Sequence, residues 1–274
     1  FTAIEEMLAE KPLTETKKLP VPQNGEIRLD HVSFQYEAGV KALDDVSLTI
    51  RPGTVTALVG ESGGGKSTVA NLIARFWDVS EGSVTVGGVD VRKLDYADLM
   101  KHISIVFQDT NLFKMSVAEN VAMYKPGASR EEIMEALRQA RCEDILEKLP
   151  NGVDSVIGAR GVYLSGGEMQ RIALARAILK DAPIVLLDEA TAFADAENEY
   201  LIQRALDILL HGKTVLMIAH RLQTIVHADQ IIVMQRGGIA EQGTHEELMQ
   251  RQGMYAKMYH EYENSVSWKI GGWA

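Results

Sequence analysis

The order of apolar and polar residues along the chain shows two patterns, and each predicts a different kind of strand. Residues 26–36 and 46–50 alternate between apolar and polar side chains, whereas residues 55–59 and 184–187 are continuously apolar. Alternation is typical of an antiparallel sheet with one exposed face, and an unbroken apolar run is typical of a parallel strand covered on both faces. Further strands are predicted at 83–88, 103–107 and 213–220, with a hairpin over 230–241.

Helical spacing of apolar residues appears between these strands. Residues 112–150 keep that spacing and carry two Ser-x-x-Glu capping boxes, at Ser116 and Ser129, which predicts an all-helical insertion. Residues 164–180 begin with a third box and predict one long helix. A fourth box, Thr244 with Glu247, predicts a further helix after the hairpin.

The two ends of the sequence differ from the middle. Residues 1–10 fit one helical face, and residues 11–25 hold three prolines and predict a linker to a domain over 26–263. Residues 264–274 predict an irregular tail. Because the first residue is Phe1 rather than Met, we expect the sequence to be a piece of a longer chain.

Composition limits the partners of this chain. The net charge of −10 argues against a nucleic-acid surface. The only cysteine, Cys142, excludes an internal disulfide, and its charged helical surroundings favour a bystander role. No apolar run approaches the roughly 18–20 residues of a membrane span.

The strongest candidate for chemistry follows the apolar run at 55–59. GESGGGKST fits G-x-x-x-x-G-K-[ST] between a buried strand and an amphipathic helix, a setting in which an ordinary flexible linker is not expected. Glycines let the backbone N–H groups approach an anion, and the helix N-terminus adds positive potential. The residues predicted to bind the phosphates are Gly60, Glu61, Ser62, Gly63, Gly64, Gly65, Lys66, Ser67 and Thr68. Lys66 is expected to reach the β- and γ-phosphates and Ser67 to ligate Mg²⁺.

Polar residues follow three other predicted strands. Asp188 and Glu189 end the run IVLLDE, at the strand end where α/β sheets place ligands. Asp188 is expected to hold Mg²⁺ through water, and Glu189 is expected to polarise the attacking water. A helix N-cap pair is the alternative interpretation. Gln108 is either a Mg²⁺ ligand or water-orienting group, or a polar strand end. His220 is either functional or structural, and its place at a strand's carboxyl end favours function.

Two further stretches leave alternatives open. Tyr36 closes the first strand and is either a base-stacking residue or a strand-end aromatic. LSGGE, residues 164–168, places two glycines in a first helical turn, where each costs about 1 kcal/mol relative to alanine. Close approach of an anion to the bare N–H groups would justify them, although a capped helix is the simpler interpretation.

Taken together, residues 26–255 resemble the nucleotide-binding domain of an ABC transporter. GESGGGKST looks like the Walker A motif, LSGGE like the family signature, and IVLLDE like Walker B with the catalytic glutamate. The resemblance implies roles for Tyr36 as the A-loop aromatic, Gln108 as the Q-loop glutamine, Asp195 as the D-loop aspartate and His220 as the switch histidine. It implies a P-loop NTPase core with a mixed parallel sheet, an antiparallel β subdomain and an α-helical insertion at about 112–178.

The resemblance also implies partners. In this family the signature covers the ATP bound by a second cassette, so Ser165, Gly166 and Gly167 would act in trans and two domains would enclose two ATP. Residues 1–25 look like the end of the last membrane helix of an exporter-fold half-transporter, which implies a transmembrane domain and a place at the cytoplasmic face of the membrane. Import and export, and identical and different partner cassettes, stay open.

Two stretches depart from the family pattern. SVIGARG, residues 155–161, lacks the glutamates common in exporters, which puts the usual contact with the membrane loops in doubt. ATAFAD replaces the more usual ATSALD after Glu189, and with LSGGE it is similar to siderophore-related transporters.

Two other functional classes are compatible with a phosphate-binding loop. A soluble ABC-type ATPase acting on nucleic acid or ribosomes would carry paired cassettes or coiled coils and a basic face, which this acidic chain lacks. A P-loop kinase would need an acceptor pocket and would not need LSGGE.

Overall fold

The computed structural model of the chain describes residues 22–37, 39–107, 111–157, 162–188, 196–219 and 221–271. The strands are β1 (Ile27–Gln35), β2 (Lys41–Ile50), β3 (Val55–Gly60), β4 (Glu81–Val86), β5 (Val89–Asp90), β6 (Ile103–Val106), β7 (Met115–Ser116), β8 (Val156–Ile157), β9 (Ile184–Asp188), β10 (Thr214–Ile218), β11 (Gln230–Gln235) and β12 (Gly238–Gly243). The α-helices are α1 (Lys66–Ile73), α2 (Tyr96–His102), α3 (Val117–Ala122), α4 (Arg130–Gln139), α5 (Glu143–Lys148), α6 (Gly166–Lys180), α7 (Ala196–Leu210), α8 (His245–Arg251) and α9 (Met254–Gly271).

A central sheet runs in the order β12-β11-β3-β10-β9-β6. Neighbours from β11 to β6 are parallel, and β12 joins β11 as an antiparallel edge strand through the predicted hairpin. The register places Leu58 beside Ile218 and Ile218 beside Asp188, so β3, β10 and β9 end at one edge of the sheet. The predicted mixed, mainly parallel sheet is confirmed.

A second sheet, in the order β2-β1-β4-β5, is antiparallel throughout. Strand β1 pairs with β2 and β4, and its apolar residues Ile27, Leu29 and Val32 are buried as the alternation predicts. Their side chains pack with α1 and with one face of the central sheet. The antiparallel β subdomain is therefore confirmed.

The central sheet is covered on both faces because its strands are apolar on both sides. Along β9, Val185 and Leu187 pack with the helical elements α3 to α7, whereas Ile184 and Leu186 pack with α1 and the antiparallel sheet. The continuous apolar run at 184–187 thus predicts its surroundings correctly. At the other end of the sheet, β11 packs against α8 and α9.

The insertion between β6 and β9 contains α3, α4 and α5, which pack with α6. The prediction that this segment is all-helical misses the antiparallel pair β7–β8, since two residues per strand are too few for any periodicity to show. Cys142 lies in the core of this insertion, and burial raises the pKa of its thiol to about 12. The bystander interpretation of Cys142 agrees with this environment.

All four predicted capping boxes are present. In each, the Ser or Thr side chain accepts the N–H of the Glu three residues later, and that Glu side chain accepts the cap residue's own N–H. The pairs are Ser116–Glu119, Ser129–Glu132, Ser165–Glu168 and Thr244–Glu247.

The predictions for the two ends of the chain compare differently with the structure. The prediction of an irregular tail from residue 264 is wrong as far as Gly271, because α9 continues to that residue. The helix predicted over 1–10 and most of the linker lie outside the described residues. No described helix combines the length and the apolar character needed to cross a bilayer.

Strand β3 approaches β11 so closely at its last residue that only glycine fits. Gly60 has φ +135°, and a Cβ at this position would lie 2.1 Å from the carbonyl oxygen of Met234. Gly63, three residues later, has φ +77°, but a Cβ there would meet nothing within 4 Å. Gly60 is therefore required both by its contact with Met234 and by its positive φ, whereas Gly63 is favoured by its positive φ alone.

Replacing Gly60 with Ala should lower the free energy of unfolding by about 2–5 kcal/mol, since backbone strain and overpacking add. The matched change Gly63→Ala keeps only the conformational cost of about 1–2 kcal/mol. Urea denaturation of both variants measures the difference. Equal losses would show that the contact with Met234 carries no weight.

A bidentate ion pair fixes α6 to α5. Both guanidinium Nη atoms of the buried Arg171 donate to Asp144, at 2.6 and 2.9 Å, and Nη1 also donates to the carbonyl oxygen of Arg141. The hydrogen bond from Arg171 holds the pKa of Asp144 below its ordinary value. Because α6 begins with LSGGE, this pair helps to set the position of the signature stretch.

The Asp144→Asn variant should lose about 1 kcal/mol of stability at pH 7, a value reduced because the Asp144 side chain is 44% exposed. The pKa of Asp144 is lowered on folding, so its stabilisation is complete above the unfolded pKa near 3.9 and is lost as pH falls through the folded pKa. The difference between wild type and variant should therefore shrink below about pH 4.

Urea denaturation at pH 7 and pH 3 measures this dependence. Asp154→Asn is the matched control, since Arg130 binds Asp154 in the same bidentate geometry with both side chains exposed. Its effect should be smaller at both pH values. A gap for Asp144→Asn that stays constant from pH 7 to pH 3 would contradict the assignment.

Candidate functional site

The loop at 61–65 connects β3 to α1 through a tight, glycine-dependent turn. Gly63 and Gly65 have positive φ, and the N–H of Gly64 donates to the carbonyl oxygen of Glu61 at 3.1 Å. A Cβ on Gly65 would lie 2.7 Å from a methyl group of Leu43. The helix that follows begins without a side-chain cap among the described residues, so its first N–H groups face the loop region. This is the geometry that binds anions at a helix N-terminus.

The turn between β11 and β12 supports the loop from outside. The N–H of Gly237 donates to the carbonyl oxygen of Gly64 at 3.3 Å, and the N–H of Asp44 donates to that of Gly237 at 2.9 Å. The loop is therefore held by two sheets as well as by its own turn. Sequence reasoning missed this support, because it joins residues far apart in the chain.

Lys66 places its ammonium group at the start of this loop. Its Nζ donates to the carbonyl oxygens of Gly60 at 2.8 Å and Glu61 at 2.7 Å, and the residue is only 5% exposed. A buried ammonium is costly unless hydrogen-bonded, and these carbonyls reduce that cost. The ammonium group is thus held by the backbone at the start of the glycine loop.

Asp188 lies at the same sheet edge. It is the last residue of β9 and pairs with Ile218, whose other neighbour, Leu58, lies two residues before Gly60. Neighbouring strands are about 4.8 Å apart, which puts Asp188 and the end of β3 about 10 Å apart across the sheet. Ser67 is the second residue of α1. A hydroxyl and a carboxylate are the hard oxygen donors that suit Mg²⁺.

Tyr36 is connected to the same helix. Its hydroxyl donates to Thr68 Oγ1 at 3.3 Å, and the tyrosine side chain stays 45% exposed. Thr68 follows Ser67 in α1, so this hydrogen bond attaches the predicted base-stacking residue to the helix that carries the predicted phosphate-binding residues. Sequence spacing alone does not place residues 36 and 68 together.

The signature stretch begins α6. Ser165 Oγ accepts the N–H of Glu168 at 3.3 Å, and Glu168 Oε2 accepts the N–H of Ser165 at 2.8 Å. Lys148 Nζ also donates to Glu168, at 3.1 Å. Burial raises the pKa of Glu168, but these hydrogen bonds outweigh it and hold the pKa below its ordinary value. The carboxylate therefore stays ionised at the positive end of the helix.

Gly167 has a structural requirement that the sequence does not reveal. A Cβ on this residue would lie 2.7 Å from Cβ of Asn198, where α6 packs on α7. The interpretation that an approaching anion justifies both glycines is therefore incomplete at Gly167. Ser165 and Gly167 make contacts within α6 and with α7, whereas Lys66, Ser67 and Thr68 lie on α1 and Tyr36 is hydrogen-bonded to that helix.

Four predicted site residues lie outside the described part of the chain. They are Gln108, Glu189, Asp195 and His220. The strands β6, β9 and β10 that precede three of them are present as predicted. Their roles stay predictions.

Comparison with known proteins points to one family. Residues 43–192 match the model of the ABC transporter family. The chain is 36% identical to a bacterial Atm1-family ABC exporter whose structure has ATP bound, with a TM-score of 0.87 over 95% of this chain and 46% of that chain.

Named relatives include two kinds of transporter. The chain is 53% identical over 235 residues to the mycobactin import ATP-binding/permease protein IrtA of Mycolicibacterium thermoresistibile, covering 86% of this chain and 26% of that protein. It is 48% identical over 235 residues to the ATP-dependent lipid A-core flippase of Legionella pneumophila, covering 86% of this chain and 40% of that protein. The chain thus spans less than half the length of these relatives. The resemblance to siderophore-related transporters is confirmed by the first, and with its P-loop fold the chain belongs to the ABC transporter family.

Proposed function

We propose that this chain is the ATP-binding and ATP-hydrolysing domain that drives a membrane transporter. The observation that carries the proposal is the Lys66 ammonium, held by the carbonyls of Gly60 and Glu61 at the foot of a glycine loop and a helix N-terminus. ATP binding follows from the family, and the phosphates would take the place of those two carbonyls as partners of Lys66. Charge neutralisation of this kind is the main contribution a protein makes to phosphoryl transfer.

The donor set fits a magnesium ion bound with the nucleotide. Ser67 would supply a hydroxyl ligand, Asp188 a carboxylate acting through water, and Gln108 an amide oxygen. Mg²⁺ is usually held by one or two carboxylates together with phosphate oxygens and waters, and Asp188 at the end of β9 would supply one such carboxylate. The ion would neutralise the charge that develops on the phosphates.

Glu189 and His220 are proposed to act on the attacking water. Glu189 directly follows Asp188, which ends β9 at the edge where β3 delivers the phosphate loop. A carboxylate at that place would accept a proton from water as it attacks the γ-phosphate. His220, which follows β10, would orient the attacking water and the γ-phosphate from the neighbouring strand.

Two such domains are proposed to close head to tail around two ATP. The capped N-terminus of α6, with Ser165, Gly166 and Gly167, would cover the γ-phosphate held by the partner cassette, and Asp195 would lie at the contact between the two. Closure and reopening would move a transmembrane domain, with this domain at the cytoplasmic face of the membrane. The partner cassette and the membrane domain are inferred from the relatives, which are transporters by name.

The Glu189→Gln variant should lose at least about 100-fold in ATP turnover while keeping its ATP affinity, because it removes the base and leaves the phosphate loop intact. Phosphate release and calorimetric titration measure the two quantities. Glu147→Gln is the control, since Glu147 lies exposed on α5. Turnover at the wild-type rate in Glu189→Gln would reject Glu189 as the base.

Ser165→Ala should reduce turnover beyond what its lost helix cap explains. Ser129→Ala removes an equivalent capping box from α4, so both variants should lose about 1 kcal/mol of stability. Only Ser165→Ala should lose most of its turnover at concentrations where two chains associate. Similar turnover in the two variants would reduce Ser165 to a helix cap.

A mixing experiment tests whether the signature acts in trans. Lys66→Ala and Ser165→Ala chains should each be inactive alone. A mixed pair contains one site with an intact loop from one chain and an intact signature from the other, so an equimolar mixture should recover up to about a quarter of wild-type turnover. A mixture that stays inactive would favour action in cis.

A further inference from the structure

Tyr36 is surrounded by two aromatic rings in perpendicular contact with it. The ring centroids of Phe34 and Tyr36 are 4.8 Å apart at an interplanar angle of 89°, and those of Tyr36 and Trp77 are 5.5 Å apart at 90°. Perpendicular pairs at such distances are favourable arrangements of aromatic quadrupoles. The Tyr36 ring is therefore oriented by neighbours on β1 and on the segment after α1.

The hydroxyl end of Tyr36 is fixed as well. It donates to Thr68 Oγ1 at 3.3 Å and accepts a hydrogen bond from Asn71 Nδ2 at 3.3 Å. Thr68 and Asn71 are three residues apart and so lie on the same face of α1. Both ends of the tyrosine are thus held: the ring by β1 and the segment after α1, and the hydroxyl by α1, the helix that follows the phosphate loop.

Burial does not account for this arrangement. Phe34 is 4% exposed and belongs to the core, but Tyr36 and Trp77 are each 45% exposed. Two large rings kept half in solvent, with a polar network on one of them, form a preorganised surface rather than a packed interior.

We propose that Asn71 and Trp77 are positioning residues that orient the Tyr36 ring for contact with the base of the bound nucleoside triphosphate. The inference rests on the proposed function, since it assigns Tyr36 to the base and the glycine loop to the phosphates. Trp77 fixes the plane of the ring, and Asn71 together with Thr68 fixes its hydroxyl. Contact with the base then requires little loss of side-chain freedom on binding.

The test separates binding of the base from binding of the phosphates. ATP and inorganic tripolyphosphate are titrated calorimetrically into the wild-type chain and into Asn71→Ala and Trp77→Ala. Each variant should weaken ATP binding by about threefold to tenfold, the range of one perpendicular ring contact for Trp77 and of one hydrogen bond for Asn71. Affinity for tripolyphosphate should be unchanged, because it has no base.

Conservative and distant substitutions complete the design. Trp77→Phe keeps a ring for the perpendicular contact and should restore ATP affinity. Tyr96→Ala removes an aromatic side chain of similar exposure, 39%, from α2 and should alter neither affinity. Asn71→Ala places a stronger helix former in α1, so this variant retains the fold.

A spectroscopic measurement gives an independent readout. Trp77, Trp268 and Trp273 are the three tryptophans of the chain, so Trp268→Phe with Trp273→Phe leaves Trp77 as the reporter. ATP should change the Trp77 emission, and tripolyphosphate should leave it at its starting value.

The outcomes distinguish this inference from the proposed function. Wild-type ATP affinity in both Asn71→Ala and Trp77→Ala, or an equal loss for ATP and tripolyphosphate, would overturn the positioning role. A Trp77 emission that ATP does not change would do the same. A folded wild-type chain that binds neither ligand would contradict the proposed function itself.

Discussion

The shared register of β3, β10 and β9 is the constraint on which the site depends. Because these strands are parallel and neighbours in the sheet, their carboxyl ends meet at one edge, and each can deliver a polar group there. Gly60 ends β3, Lys66 begins α1 directly after the loop that follows β3, and Asp188 ends β9. The site therefore needs no long loop to bring its parts together, and the sheet's hydrogen bonds and two covered faces hold their spacing.

The sequence predicts those parts of the molecule that depend on residues close together along the chain. The unbroken apolar run of β9 indicates a strand buried on both faces, and the alternation in β1 indicates a strand with one face covered. Capping boxes indicate where α3, α4, α6 and α8 begin, because their two reciprocal hydrogen bonds involve residues only three apart. The glycine loop is equally local in its turn and its lysine, whereas the close approach of Gly60 to Met234 on β11 joins distant positions of the chain.

Contacts between distant segments could not be predicted in this way. Asn71 and Trp77 carry no motif, and their relation to Tyr36 exists only once β1 lies beside α1. The sequence alone favours an anion-binding role for Gly167, whereas the structure shows that Asn198 on α7 packs against it. The tail was misread for a different reason. Residues 264–271 mix polar, aromatic and glycine residues, and the helix there extends α9 rather than beginning with a cap of its own.

The environment of Cys142 has a practical consequence for studying the domain. The thiol is buried in the insertion core, and its raised pKa keeps the reactive thiolate scarce at neutral pH. A cysteine introduced at an exposed position such as Val40, which is 74% exposed, would react with maleimide dyes far faster than the native thiol. Fluorophores attached there could then follow distances to the proposed partner cassette without removing the native cysteine. Because the native thiol is buried, the rate at which Cys142 is alkylated would report how often the helical insertion opens transiently.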